Sequence, residues 1–210
     1  MSLMSKRRVG LVMMIIGILA VAAGGGLSGY NLWDNYRAGI QADTVLDDIV
    51  RHQKEEAAKK SNETPETSPG LTPNFEQELQ VLEVDGYKYI GTVSVPVIDV
   101  VLLVHEDWSL ELLKNSPCRY MGSPYTGDLI ICAHNYATHF GRLKNLIPGD
   151  EVIFTDVVGN EFRYTVVELE TLAGTAVEEM ESGAWDLTLF TCTIGGQNRV
   201  TVRCELTPLY

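Results

Sequence analysis

The most restrictive feature of this sequence is an apolar run near its N-terminus, because such a run cannot remain exposed to water. Basic residues occupy positions 6–8, and apolar or small residues then continue from Val9 to about Leu27. This length is close to the roughly 20 residues that a helix needs to cross the hydrocarbon layer. Since basic residues precede the run, we expect residues 1–30 to form a cytoplasmic stub and a single membrane-spanning anchor, with the rest of the chain outside.

A cleaved signal peptide is the competing interpretation of the same segment. The stretch "AVAAGG" offers the small residues that a cleavage site requires. The apolar run is longer than the roughly 7–15 residues of a typical signal-peptide core, which favours the uncleaved anchor. Under both interpretations we expect the remainder of the chain to lie outside the cytoplasm.

Three further regions follow the apolar run. Apolar residues recur at roughly helical spacing in residues 31–60, which predicts a juxtamembrane helix. Residues 61–80 are rich in Pro, Ser, Thr and Glu, and they predict a flexible linker. Residues 81–210 contain many short apolar runs with few helical stretches. This pattern predicts a mainly β domain, closed or nearly closed into a β-barrel with short helices.

Individual runs within residues 81–210 place the strands. The segment "YKYIGTVSVPVIDVVLLV" predicts two strands, because Pro96 interrupts it. The segment "GDLIICA" is apolar throughout, which is typical of a central strand buried on both faces. Two final strands, "DLTLFTC" and "NRVTVRCEL", are joined by the short loop "TIGGQ".

The charge and the cysteine count restrict the function. A formal net charge of −12 and a pI near 4.7 argue against a nucleic-acid binder, because phosphate contacts need clustered Lys and Arg.

Four cysteines in an exported chain first suggest two disulfides, and a pairing of Cys118 with Cys132 stays open. Zinc is another interpretation of Cys118, Cys132, His134 and Cys192. The chain lacks a C-x₂-C or H-x₃-H pair, so we expect no metal site.

The two cysteines of the final strands have different surroundings. Strict alternation in "NRVTVRCEL" puts the arginines on one face and Cys204, with the valines, on the other. A free cysteine among valines acts as a small hydrophobic residue, so we assign Cys204 to the core. Cys192 ends its strand just before "TIGGQ", whose glycines allow a tight turn. Because strand ends beside loops often carry function, Cys192 is the candidate nucleophile.

A cationic partner for Cys192 is present on the following strand. A thiol attacks as the thiolate, which needs a nearby cation or base. Arg199, seven positions on, can return close to Cys192 across the hairpin, and its guanidinium stays charged at any working pH. It could stabilise the thiolate or a carbonyl oxygen that gains negative charge during attack. Arg203 faces the same way but lies about a dozen ångströms further along the strand, so it is the second choice.

Four histidines are candidates for the base. His134 ends the run "GDLIICAH", the position that Cys192 has on its own strand, so the two meet if their strands are neighbours. The competing interpretation of His134 is a strand-end histidine held by hydrogen bonds alone. His139 lies in the following turn and is a weaker candidate. We expect His105 to have a surface role and His52, in the juxtamembrane helix, to be solvated.

Several segments of the chain resemble one known family. "TLFTC" matches the T-L-x-T-C signature of sortases, the membrane-anchored cysteine transpeptidases of Gram-positive bacteria. "IGTVSVPVIDVVLLV" resembles their first two strands, and "GDLIICAHN" resembles the strand that ends in the catalytic histidine. "NRVTVRCEL" resembles the strand that begins with the catalytic arginine. The order of the segments also agrees, and the resemblance extends from about Tyr89 to Leu206.

The resemblance implies a fold, a site and a reaction. The fold is the sortase-type eight-stranded β-barrel, with Cys192 as nucleophile, His134 as its paired histidine and Arg199 near the oxyanion. The implied enzyme cleaves a Leu-Pro-x-Thr-Gly-like sorting motif of exported proteins through a thioester. It then transfers the protein to an amine of a cell-wall precursor or a pilin. The thioester conserves the energy of the cleaved bond, so no cofactor is required.

Departures from the family pattern leave the sortase class open. Ala133 precedes the histidine, where Gly or Ser is more usual, and Thr193 follows the cysteine, where some sortases have Asp. No hydrophobic segment follows Leu206, which argues against the pilin-polymerising class. The long helix usual in class B is also short or absent. We expect a class B-like or class D-like sortase and leave the class open. Two other functions also stay open: a Cys/His cell-wall amidase or endopeptidase that hydrolyses, and a non-catalytic anchored barrel that binds peptides.

Overall fold

The computed structural model describes four parts of the chain, residues 10–30, 33, 51 and 77–208. The predicted juxtamembrane helix (31–60) and linker (61–80) lie almost wholly outside these residues, as does His52. The chain divides into two compact units, one that contains the N-terminal helix and one that contains the strands.

The N-terminal unit contains helix α1, Gly10–Tyr30. Its 21 residues are apolar and long enough to cross a membrane. Since a helix needs about 20 apolar residues to span the hydrocarbon layer, α1 is a candidate membrane anchor. A signal sequence has the same position and composition.

The second unit is mainly β. Nine strands occur in residues 77–208: β1 (Leu82–Val84), β2 (Tyr87–Val95), β3 (Val100–His105), β4 (Cys118–Met121), β5 (Leu129–Ala133), β6 (Glu151–Asp156), β7 (Glu161–Ala173), β8 (Leu187–Cys192) and β9 (Asn198–Leu206). The helical elements of this part are α2 (Val177–Glu181) and three 3₁₀ segments, Pro96–Ile98, Leu112–Lys114 and Phe140–Asn145. The predicted mainly β fold with short helices is confirmed.

Eight of these strands form a closed ring. From β2 the order is β3, β4, β5, β8, β9, β7 and β6, and β6 pairs with β2 again. Strand β1 lies outside the ring, paired with residues 87–89 of β2. The eight-stranded barrel that the family resemblance implied is therefore confirmed. Strand β1 is an addition that the sequence pattern did not separate from β2.

The inner face of the ring carries the hydrophobic core. Strands β5, β8 and β9 each contribute alternate residues to it: Leu129, Ile131, Leu187, Leu189, Val202 and Cys204. Cys204 is fully buried among them, as the alternation in "NRVTVRCEL" predicted. Every second position of these strands is therefore occupied by packing, which leaves the alternate positions for other roles.

The outer face of the same strands is also largely covered. On β5, Ile130 and Cys132 are each 5% exposed, although they point away from the core. Arg203 on β9 is 2% exposed and contacts the end of α2. Because β5 is buried on both faces, its sequence is apolar throughout, as predicted from "GDLIICA".

Strand β2 is where the ring closes, and Gly91 permits the close approach of the strands. Residues 91–94 pair with β3 on one side and with β6 on the other. A Cβ at Gly91 would collide with the carbonyl oxygen of Thr155 and would lie 2.8 Å from the Cα of Asp156. The φ of Gly91, +154°, is also a value that L side chains rarely adopt.

We expect Gly91→Ala to lower the free energy of unfolding by at least about 3 kcal/mol, because the clash with β6 adds to the backbone strain. Chemical denaturation of the full-length protein in detergent micelles measures this. Gly149→Ala is the matched control, since Gly149 has a φ of +99° but open space around its Cβ. It should cost only about 1–2 kcal/mol. Equal losses in the two variants would show that contact with β6 is not the reason for the glycine.

Candidate active site

Cys192 and Arg199 lie at one edge of the barrel, where β8 ends and β9 begins. The two residues are directly opposite each other in the antiparallel β8–β9 pair. In the loop between them, the N–H of Gly196 donates to the carbonyl oxygen of Thr193 at 2.8 Å. Gly195 and Gly196 have φ angles of +88° and +74°, which glycine adopts without strain. The two glycines therefore turn the chain so that the arginine returns beside the cysteine, as predicted.

His134 is brought to the same edge by the parallel pairing of β5 with β8. The register pairs Ala133 with Thr191, so the next residues, His134 and Cys192, follow at the ends of adjacent strands. Thr191 Oγ1 also donates a hydrogen bond to the carbonyl oxygen of Ala133 at 2.8 Å. The expectation that the two strands are neighbours is confirmed. This contact of Thr191 was not predicted, and its only signal in the sequence is the position of Thr191 directly before Cys192.

The loop that follows β5 folds back and packs against His134. The ring centroids of His134 and Tyr136 are 4.9 Å apart and the rings are tilted by 34°. The carbonyl oxygen of His134 accepts a hydrogen bond from the N–H of Phe140 at 3.2 Å. His134 and Cys192 are both half-buried. A ligand can therefore reach both side chains while much of the surrounding water is excluded.

The guanidinium of Arg199 is held by the loop that precedes it. Its Nη1 donates to the carbonyl oxygens of Gly196, at 2.9 Å, and Asn198, at 3.1 Å. Gly174 follows β7, and a Cβ there would lie 3.3 Å from this Nη1. Both hydrogen bonds use Nη1, so among the described residues Nε and Nη2 remain available to a ligand beside Cys192.

A groove of about 220 Å³ runs over the outer face of the barrel, and Cys192, His134 and Arg199 all line it. Most of its remaining lining is apolar. Trp108, Tyr120 and Phe190 form a row of aromatic rings, with successive centroids 6.1 Å and 5.5 Å apart. Helix α2 contributes Val177 and Met180. The lining of this groove has no local signal in the sequence, because it comes from segments that are distant along the chain.

Arg203, the second candidate for the cationic partner of Cys192, forms hydrogen bonds with other parts of the protein. Its guanidinium donates to four acceptors inside the protein: Glu170 Oε1 at 2.8 Å, Thr188 Oγ1 at 3.0 Å, the Glu179 carbonyl at 2.6 Å and the Met180 carbonyl at 2.9 Å. The side chain is also buried, so it is not available to a bound ligand. Arg199 is the arginine that the fold places beside Cys192.

All four cysteines of the chain are free thiols. Cys118, Cys132 and Cys204 are buried, and burial raises the pKa of each thiol to about 12. Cys118 and Cys132 lie opposite each other on β4 and β5 but are not bonded, so the disulfide that the sequence left open is not formed. In the described part of the chain, no group of three or more His, Cys, Asp or Glu could hold a metal ion.

The expectation of a surface role for His105 is wrong. Its side chain is 1% exposed and stacks on the ring of Tyr89, with centroids 4.6 Å apart. Burial lowers the pKa of His105 to about 4, so the ring is neutral at pH 7. His139 is also buried, with its ring 5.3 Å from that of Tyr136. Of the three described histidines, His134 is the one that lines the groove.

The sequence of the barrel matches one family model. The sortase-domain model covers residues 93–207, which is more than half of the 210-residue chain. The chain belongs to the sortase family. Membership implies a cysteine transpeptidase in general terms. No curated protein matches the sequence significantly.

Solved structures of other sortases have a similar fold. Streptococcus pneumoniae sortase C is 25% identical, with a TM-score of 0.54 over 77% of this chain and 88% of that one. Listeria monocytogenes sortase A is 24% identical, with a TM-score of 0.51 over 57% and 88%. The sortase D5 transpeptidase of Clostridium perfringens is 22% identical, with a TM-score of 0.50 over 57% and 79%. Because these neighbours carry different class letters, the likeness does not select a class.

We expect iodoacetamide to alkylate Cys192 at least about 100-fold faster than the other three thiols of the native sortase. Burial blocks access to those thiols, and a pKa of about 12 leaves almost no thiolate at pH 8. Peptide mass spectrometry of the labelled full-length protein measures the four rates. The protein unfolded in guanidinium is the control, in which all four cysteines should react. Comparable labelling of Cys132 in the native protein would contradict the packing of β5 described above.

We expect acid to destabilise the sortase through His105. The imidazole titrates near 6.5 when unfolded and at about 4 when folded, so the unfolded state binds the extra proton. The contribution of the neutral His105 to the free energy of unfolding is fully present above pH 6.5. It falls by about 3 kcal/mol as the pH is lowered to 4. His105→Phe keeps the aromatic packing and should lose this part of the acid sensitivity. Urea denaturation of wild type and His105→Phe between pH 4 and 7.5 measures the difference. Parallel plots of unfolding free energy against pH for the two proteins would refute the role of His105.

Proposed function

We propose that Cys192, His134 and Arg199 form the catalytic site of a membrane-anchored transpeptidase that cleaves a sorting motif of the Leu-Pro-x-Thr-Gly kind. One observation carries the proposal: two strand pairings, β5 with β8 and β8 with β9, place the three residues at one edge of the barrel. All three also line the same groove.

The groove suits an extended peptide with apolar residues before its scissile bond. Its aromatic row and the side chains from α2 offer apolar contact to a leucine and a proline. Half-buried Cys192 then faces the carbonyl carbon of the motif's threonine. The polar groups near Cys192 are few and specific, which matches a site that binds by apolar burial and reacts at one carbonyl.

In the first half of the reaction, the thiolate of Cys192 attacks the threonine carbonyl carbon and forms the C–S bond. The carbonyl oxygen gains a negative charge, which the Nε and Nη2 donors of Arg199 stabilise in the groove. The C–N bond to glycine then breaks. Protonated His134 gives its proton to the departing amine, and the product remains as a thioester on Cys192.

In the second half, the amine of an acceptor attacks the thioester carbonyl. The acceptor is an amine of a cell-wall precursor or of a pilin. The C–S bond breaks as the new amide forms, and the proton released by the amine returns to His134. The thiolate of Cys192 is regenerated. One amide bond is exchanged for another, so the reaction needs no external energy source and no cofactor.

The proposed location is the cell membrane, with α1 as a single-pass anchor and the barrel on the extracellular side. The basic residues at positions 6–8 favour a cytoplasmic N-terminus. An anchor of this kind keeps the enzyme where exported substrates emerge from the membrane. Protease digestion of intact cells tests the topology, because an extracellular barrel is accessible to the protease.

We expect a Leu-Pro-Ala-Thr-Gly peptide to acylate the wild-type protein through Cys192, with a mass increase that neutral hydroxylamine removes. Cys192→Ala and His134→Ala should lower kcat/KM by at least about 10³-fold, since both groups take part in bond making and breaking. Arg199→Ala should lower kcat by about 10²–10³-fold, as expected for the loss of an oxyanion donor. Intact-protein mass spectrometry and peptide cleavage measure these effects.

The control variant is Cys204→Ala, which removes a core thiol on the opposite face of the sheet and should keep the acylation. Triglycine is added as the acceptor in a parallel reaction. Ligation of the peptide to triglycine supports the transpeptidase. Hydrolysis alone, with triglycine present, would instead identify an amidase or endopeptidase. Binding of the peptide without any adduct in wild type would identify a non-catalytic peptide-binding barrel.

A further inference from the structure

Helix α2 contributes to the groove but is too short to hold its own position. It has five residues, and no side chain caps its N-terminus. Isolated helices below about 12–15 residues are marginal in water, so α2 depends on contacts with the barrel. Because Val177 and Met180 line the groove, the position of α2 sets the width of the groove.

The contact that fixes α2 is made by the buried guanidinium of Arg203. Its Nη1 and Nη2 donate to the carbonyl oxygens of Met180 and Glu179, which lie in the last turn of α2. The last carbonyls of a helix have no partner within the helix, so a buried donor there satisfies them. Arg203 thus joins the end of α2 directly to β9.

The guanidinium is itself held in one orientation from the opposite side. Its Nε donates to Glu170 Oε1 of β7 at 2.8 Å, and its Nη1 also donates to Thr188 Oγ1 of β8 at 3.0 Å. The guanidinium of Arg203 therefore links β7, β8 and β9 to α2. A lysine could not make these contacts together, because its ammonium is a single point of charge.

We propose that Arg203 is a positioning residue, which together with Glu170 holds α2 against the barrel and so shapes the groove around the substrate. It acts through Met180 and Val177 and does not touch the reacting atoms. This role rests on the proposed function, because it concerns the peptide that the groove receives. It also explains why the second arginine of "NRVTVRCEL" is buried while Arg199 lines the groove.

Amide hydrogen exchange of the full-length protein in detergent micelles tests the proposal without any substrate. Arg203→Met should speed the exchange of the α2 amides by about tenfold or more, with β2, β3 and β6 unchanged. Arg203→Lys keeps the charge beside Glu170 and should restore part of the protection. Glu170→Gln keeps the shape of the side chain but removes its charge, so its effect should be smaller than that of Arg203→Met.

The kinetic measurement uses a fluorogenic Leu-Pro-Ala-Thr-Gly peptide with the same variants. Arg203→Met should raise KM by about ten- to a hundredfold while kcat changes little, because binding is loosened and the reacting groups stay in place. The rate of alkylation of Cys192 by iodoacetamide should equal that of wild type. A fall in kcat without a change in KM would overturn the positioning role.

Arg163→Met is the matched control, since Arg163 forms ion pairs with Glu151 and Glu161 on the exposed surface of β6 and β7. It should change neither the exchange of α2 nor KM. Unchanged α2 exchange in Arg203→Met, or a uniform acceleration over the whole barrel, overturns the proposal. If Arg203→Met does not fold, Glu170→Gln decides by the same readouts. If wild type fails to cleave the peptide, the proposed function is contradicted, and the exchange measurement still decides the role of Arg203.

Discussion

The parallel pairing of β5 with β8 is the interaction on which the candidate site depends. It is the step that brings together two strand ends that are far apart in the sequence, with Ala133 level with Thr191. The hydrogen bond from Thr191 Oγ1 to the Ala133 carbonyl fixes this register at the edge of the barrel. A slip of one residue would turn every side chain of β8 to the opposite face and would move Cys192 into the core.

Strands β5, β8 and β9 serve both the core and the groove because their side chains alternate between the two faces. On β9, Val202 and Cys204 fill the core, while Arg199 and Arg203 face outward. Of the two arginines, Arg203 is not solvent-exposed, since α2 covers it, and Arg199 is half-buried in the lining of the groove. The side chains that line the groove thus form a second, largely apolar layer on the outside of the barrel, and the proposed reacting groups are among them.

Local patterns of the sequence were sufficient for the strands and for single faces. The burial of Cys204 and the doubly buried β5 follow from alternation and from an apolar run, both of which act over a few residues. The adjacency of His134 and Cys192 could be stated only conditionally, because it needs a pairing between distant segments. The burial of His105 was missed for the same reason, since it follows from stacking on Tyr89 of another strand. The contacts of Arg203 with α2 have no local signal at all.

Strand β1 has a mechanical consequence because it joins the barrel to the chain that precedes it. Three residue pairs hold it to β2, and the pair between Leu82 and Tyr89 lies farthest from the turn. A pulling force applied through the preceding chain would therefore peel β1 from β2 one pair at a time, as a zipper opens. Leu82 would leave Tyr89 first and Val84 would separate last, and water would then reach His105 behind Tyr89. The closed ring, which has no free edge at this point, would remain intact and keep the groove in shape.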